Sequence, residues 1–300
     1  MGIQDKVVIS CAISGAAANR QQCPYIPYTP EEYGQEARRA RDAGASVVHI
    51  HARKPDTGAP SYDVEDYRAI TDAILAEVPD IIVNYSTGAI GIDREQRVAQ
   101  IADLRPEIGA LNMGSMNYAI YSRSRKAFHI DAVFANPFGD IIFFLETMRD
   151  AGTKPEHECF DSGHINNVML LADMGLGDPR PHFSLIMGVH GGIAATVPNL
   201  IHQVSLLPAD AHWQVIGVRH PEQWRMIAAA LGAGGSVRVG LEDNFYTADG
   251  EMATSNGDLV AKAARMAADV GRPVAEPNEA REMLGIAVPD RARTAVEARR

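Results

Sequence analysis

Aromatic residues make up only 6% of this 300-residue chain, and it has only three cysteines, Cys11, Cys23 and Cys159. An odd number of widely spaced thiols excludes a disulfide framework and a CxxC-type metal site, so they read as buried or incidental groups. No run reaches the about 18 apolar residues that a membrane-spanning helix needs. The opening MGIQDKVVIS has neither a basic region nor a long apolar segment, so no signal peptide is expected and the protein is placed in the cytoplasm. Basic charge is also scarce: the formal net charge is −10 and the isoelectric point about 5.5. Such a surface repels phosphate backbones and argues against a nucleic-acid partner, while leaving room for a local basic pocket for an anionic substrate. Low-complexity tracts and composition breaks are missing too. The expectation is therefore a single domain over residues 1–300, with 276–300 as a C-terminal extension whose end is a helix on a neighbouring subunit or a frayed tail.

What the chain does have is alternation. Eight short apolar runs rich in β-branched residues fall at 6–14, 45–53, 81–88, 108–115, 154–161, 182–189, 212–218 and 236–243. Several are apolar on both alternating faces, as strands covered on both sides must be. Helical patterns lie between them. The clearest opens at Thr29-Pro30-Glu31-Glu32, where threonine suits the N-cap, proline the first helical position and Glu32 the capping box, and Gly44 ends it. The stretches 63–78, 93–104 and 256–271 read the same way, and 132–152, 197–207 and 221–235 fill further gaps. Strand and helix repeated eight times predict an α/β fold of the (β/α)₈ TIM-barrel class. The open doubly wound sheet is the alternative. It carries a GxGxxG turn after its first strand, and Ser14-Gly15-Ala16-Ala17-Ala18 is not one.

In a TIM barrel the active site lies at the C-terminal strand ends. Polar residues collect there: Ser14, then His49, His51 and Arg53, then Asn84, Ser86 and Thr87, then Asn112 and Ser115, then Glu158 and Asp161, then His190, then Arg219 and His220, then Glu242, Asp243 and Asn244. Polar groups at one end of apolar strands are costly unless they face a solvated site. His49 and His51 share a strand face, with Ile50 on the other. Two imidazoles and a carboxylate such as Glu242 suit zinc or a related divalent ion with positions left open for substrate; a pair of satisfied core histidines is the alternative. Of the adjacent Glu242 and Asp243, one carboxylate can ligate metal while the other takes a proton from a carbon acidified by it, unless the pair is an ordinary solvated turn. Ser86-Thr87-Gly88 and Asn112-Met113-Gly114-Ser115 offer hydroxyls and amides suited to a carboxylate or oxyanion, or simply cap turns. Gly191-Gly192 and Gly234-Gly235 bring backbone close to something, a phosphate or pantetheine arm or a plain turn. His129, His157, His164, His182, His202 and His212 follow no usable pattern and read as structural or surface residues.

In order, the strings CAISGA (11–16), PYTPEE (27–32), VHIHAR (48–53), STG (86–88), LNMGS (111–115), GVHGG (188–192), VRVGLEDN (237–244) and SN (255–256) resemble the β-keto acid cleavage enzymes over about residues 6–285. The resemblance implies a reaction in which a β-keto acid and acetyl-CoA give acetoacetate and a new acyl-CoA. It implies zinc held by His49, His51 and Glu242, with acetyl-CoA as co-substrate. It also implies Asp243 as the proton-abstracting base, and Ser86 and Ser115 as hydroxyls holding substrate, beside Thr87 and Asn112 on the same turns. Two departures stand out. Ala17 replaces a glutamate that faces a substrate ammonium in the lysine-fermentation member, so a keto acid without an amino group is expected. The family's supporting arginine follows strand seven in a Gly-Ile-Gly-Arg run; here Gly217-Val218-Arg219-His220 makes Arg219 the nearest catalytic candidate, with His220 or Arg225 as alternatives. A metal-dependent aldolase or lyase that does not use CoA is the alternative activity. A homodimer or homotetramer is expected by analogy with barrels of this kind.

Overall fold

The computed structural model describes residues 5–297. Eight parallel strands close into a barrel in which each strand pairs with its sequence neighbours and the first pairs with the eighth. They are Ile9–Ala12, Val47–Ile50, Ile82–Ser86, Ile108–Asn112, Lys154–Cys159, His182–Met187, His212–Gly217 and Ser236–Val239, each inside one of the eight runs read from the sequence. Helices α1 (Pro30–Asp42), α2 (Val64–Glu77), α3 (Arg94–Leu104), α4 (Phe138–Ala151), α5 (Ser162–Leu171), α6 (Val197–Val204), α7 (Glu222–Gly232) and α8 (Asn256–Asp269) cover the outside. Thr29 caps α1 in a reciprocal box: the Glu32 amide donates to Thr29 Oγ1 at 3.3 Å, and the Thr29 amide donates to Glu32 Oε2 at 3.0 Å. No helix among the described residues is long and apolar enough to cross a membrane.

Strand periodicity divides the interior from the helix-facing core. Val48 and Ile50 join the large cluster under the helices, whereas Val47 points inward. At the N-terminal ends of the strands, Val8, Val47, Ile82 and Ile108 pack against Ala275, Ala280, Met283 and Leu284. The last three belong to α9 (Pro277–Leu284), which closes the bottom of the barrel. Arg281, fully buried, locks this plug by donating to both Glu107 carboxylate oxygens, at 2.6 and 2.9 Å, and to the carbonyls of Asp80 and Ile81. Higher in the interior, Glu156 accepts hydrogen bonds from Asn84, Ser184 and Gln214. The mouth thus rests on a polar layer, and that layer on a sealed apolar base.

One element departs from simple alternation. Met116–Ser122 and Ala127–Phe134 form an antiparallel hairpin after the fourth strand, so the helical pattern expected over 132–152 begins only at Phe138. Met116, Tyr118 and Ile120 alternate with polar or small neighbours, and Phe128 and Ile130 do the same across the turn, so a period of two is present here. The hairpin lies over Gly191: a Cβ there would sit 1.7 Å from the Asn117 carbonyl oxygen. That close approach, rather than a phosphate, accounts for Gly191. Gly234-Gly235 precede the eighth strand, at the end of the barrel away from the mouth, so they do not serve the site there.

Candidate active site

The second strand delivers His49 at its inner face, and the chain leaves the sheet at His51, whose carbonyl accepts hydrogen bonds from Tyr33 at 2.6 Å and Ser14 at 3.2 Å. The eighth strand ends at Val239, so Glu242 and Asp243 stand in the turn beyond it rather than on the strand itself. That turn brings Glu242 across the mouth to the histidines. His49 Nε2 is 3.6 Å and His51 Nε2 3.5 Å from its carboxylate oxygens. One donor atom from each of the three residues falls within 4.8 Å of the others, the arrangement of a candidate metal site. The first loop packs tightly beneath them: Gly15 has φ +58°, and a Cβ there would lie 2.6 Å from Glu242 Cγ, so only glycine fits. Arg53 does not line the cavity of the mouth; it is buried and ties this loop down through the carbonyls of Ser14, Gly15, Ala18 and Gly58.

The donor set fits a divalent cation. Burial first, then the neighbouring Arg238, pushes His49 down to about 3, so its imidazole is neutral and its lone pair available. Burial opposes ionisation of Glu242, but the neighbouring Arg238 guanidinium outweighs it and holds the carboxyl well below its ordinary value. Glu242 Oε2 is buried without a hydrogen-bond partner, which is unusual for such a group unless another ligand engages the cluster.

Beside the triad, Arg238 gathers three carboxylates. Its Nε and Nη2 each donate to Asp243 at 3.1 Å, Nη2 also reaches Glu242 Oε1 at 2.8 Å, and Nη1 approaches Glu158 Oε1 at 3.4 Å. The guanidinium is 3% exposed. Burial pushes Asp243 up to about 6 and Glu158 up to about 8, in both cases against the pull of Arg238. The arginine that binds the Asp243 carboxylate therefore lies on the eighth strand and not after the seventh. Arg219 is exposed at φ 75°, and its link to Asp243 is a backbone N–H donated to the Asp243 carbonyl at 2.8 Å. Arg225 is exposed on α7, and His220 pairs with Asp249 at 2.7 Å. Arg238 was visible within the VRVGLEDN string. Its alternation with the outward Val237 and Val239 was the signal that it points into the mouth.

These groups floor a cavity of about 370 Å³ whose lining includes His51, Ser86, Asn112, Glu158, Arg238 and Asp243. Ser86 Oγ accepts from the Gly88 amide at 3.1 Å, leaving its own proton to donate, and Asn112 Nδ2 is buried without an acceptor. Thr87 and Ser115, the other two residues expected to hold substrate, each make a hydrogen bond to the backbone. Thr87 donates to the Ala110 carbonyl at 2.6 Å, and Ser115 Oγ accepts from the Asn136 amide at 2.7 Å, fastening the hairpin; neither lines the cavity.

A closed (β/α)₈ barrel with a His₂Glu cluster and an arginine-clamped aspartate at its C-terminal mouth defines a TIM-barrel enzyme of the kind that handles small acids. The family model for the beta-keto acid cleavage enzyme matches residues 6–286. The chain is 41% identical to the 3-keto-5-aminohexanoate cleavage enzyme of Acetoanaerobium sticklandii, over 94% of this chain and 99% of that one. It is 32% identical to the 3,5-dioxohexanoate:acetyl-CoA acetone transferase of Paraburkholderia graminis, over 95% and 97% of the two chains. Among solved structures, the binary complex of ObcA with oxaloacetate superposes with a TM-score of 0.75 at 21% identity, over 88% of this chain and 68% of that one, which supports the fold. The chain belongs to the β-keto acid cleavage enzymes. It is an enzyme, an acyltransferase that cleaves a carbon–carbon bond.

Proposed function

We propose that this enzyme converts a β-keto acid lacking an amino group, together with acetyl-CoA, into acetoacetate and a new acyl-CoA, with zinc as its metal. The observation that carries the reading is the Asp243 carboxylate, clamped by Arg238 and set beside the His49–His51–Glu242 cluster. A divalent cation held by those three residues would place positive charge next to the substrate's keto and carboxylate oxygens and so acidify its C2–H.

Asp243 then takes the C2 proton. Its pKa near 6 leaves it ionised at neutral pH yet basic enough to compete for that proton. Arg238 fixes the carboxylate through two parallel hydrogen bonds, a geometry that lysine cannot reproduce. Ser86 and the Asn112 amide turn free donors toward the substrate carboxylate and hold C2 in line with Asp243. The C2 carbanion attacks the acetyl thioester carbonyl, and CoA leaves as thiolate. The thiolate adds to the original C3 carbonyl. Cleavage of the C2–C3 bond gives the new acyl-CoA, and the Asp243 proton returns to C2 of acetoacetate, which balances the cycle.

The three cysteines are free and buried, which suits a reducing cytoplasm, and a closed homodimer or homotetramer is the expected assembly. Purified, zinc-loaded enzyme given acetyl-CoA and a panel of β-keto acids should form acetoacetate and the matching acyl-CoA in equal amounts. Cleavage at an equal rate without acetyl-CoA would replace this reading with a CoA-independent lyase.

A further inference from the structure

The chemistry of the floor says what reacts; the walls say what the rest of the substrate looks like. All four charged residues lining the cavity, Arg238, Glu158, Glu242 and Asp243, belong to the floor, and Arg238 binds the other three. The remaining lining offers no cation or carboxylate to a ligand. Instead, Phe134, Phe160, Ile186 and Ile216 form an apolar cluster separate from the helix-facing core, bordered by Tyr118, Val189 and Val218. It grows from the same strands as the floor. Ile186 is the register partner of Ile216, and Ile216 the partner of Arg238, so the apolar wall continues sideways from the guanidinium at one level of the barrel. The hairpin completes the wall with Phe134, whose ring meets Phe160 edge-on at 6.1 Å. On another side the lining is Ala16, Ala17, Ala89 and Ile90.

Resting on the β-keto acid reading above, we infer that the group borne on C3 of the substrate is an uncharged aliphatic chain, held against the Phe134–Phe160–Ile186–Ile216 wall. A charged group carried into such a lining loses its water without gaining a counter-ion. Methylene groups are favoured there by the area they remove from water. The chain must be short, because the 370 Å³ cavity also has to admit the acetyl thioester.

Three six-carbon β-keto acids isolate this property, since they differ in what the tail carries: 3-oxohexanoate, 5-amino-3-oxohexanoate and 3-oxoadipate. With zinc-loaded enzyme and saturating acetyl-CoA, 3-oxohexanoate should lead both charged acids in kcat/KM by about 100-fold or more, the scale expected for an unpaired buried charge. From 3-oxopentanoate to 3-oxohexanoate, kcat/KM should rise about three- to fourfold for the added methylene. Phe134→Ala should shift the optimum toward longer chains. Acetoacetate formation with either charged acid at or above the rate of 3-oxohexanoate overturns the tail assignment and leaves the reaction standing. Formation of no acetoacetate from any member overturns both.

Discussion

Arg238 and Asp243 are joined by two hydrogen bonds of 3.1 Å, from Nε and Nη2 to the two carboxylate oxygens, inside a buried pocket. The pair holds the proposed base in one orientation and keeps it charged despite its burial. Its partners Glu158 and Glu242 draw on the same guanidinium, so the floor of the site acts as one electrostatic unit.

Replacing Arg238 should therefore damage both stability and chemistry. Arg238→Met leaves buried carboxylates unpaired, a loss of about 3–5 kcal/mol in unfolding free energy. Arg238→Lys keeps the charge but not the fork, and kcat should fall about 100-fold or more with a smaller loss in Tm. Arg219→Ala, on an exposed side chain, should leave kcat close to wild type. Steady-state kinetics and thermal melts on the three variants check this pattern.

Metal content should follow the triad. His49→Ala and Glu242→Gln should each lose stoichiometric zinc, measured by elemental analysis of dialysed protein, because each removes one of the three donors that the cluster has among the described residues. Chelator-treated wild type should lose turnover and regain it on adding zinc.

The hydroxyls should separate by role. Ser86→Ala removes a donor facing the cavity and should lower kcat/KM about tenfold or more, the value of one hydrogen bond to a charged group. Ser115→Ala loosens the hairpin and Thr87→Val the strand end. Each should lower stability by about 1 kcal/mol while KM for the keto acid stays near wild type.

At the sealed end of the barrel, burial holds His182 down to about 3 and His157 to about 4, and His212 well below its ordinary value. Their folded pKa values lie under the unfolded value of about 6.5. Between those limits the unfolded chain binds protons that the native protein does not, so stability is full above about pH 6.5 and falls as pH drops toward 4. Each histidine contributes up to about 1.4 kcal/mol per pH unit. Tm should be clearly lower at pH 5 than at pH 7.5, and His182→Asn should flatten the difference.

The barrel was legible because strands buried on both faces must be short, apolar and regularly spaced, and all eight runs contained one. His49 and His51 were legible because the two-residue period of a strand puts them on one side. Arg238 was harder to find. A charged residue inside an apolar strand reads as an exception until the three carboxylates it serves are brought together from the fifth strand and the turn after the eighth. Ser115 and Thr87 look like Ser86 in sequence. Only the backbone groups they meet, the Asn136 amide and the Ala110 carbonyl, and their place outside the cavity lining set them apart from Ser86. The hairpin carries its own alternation of period two, which stands outside the eight-fold pattern of strand and helix that defines the barrel.

The role of Asp243 is tested most directly by Asp243→Asn, assayed for acetoacetate formation and for bound zinc on the same preparation. Turnover should fall by about 100- to 10,000-fold, the range for loss of a positioned general base, while zinc stays stoichiometric because the three donors of the cluster are untouched. Wild-type turnover in a zinc-loaded Asp243→Asn enzyme would contradict the mechanism.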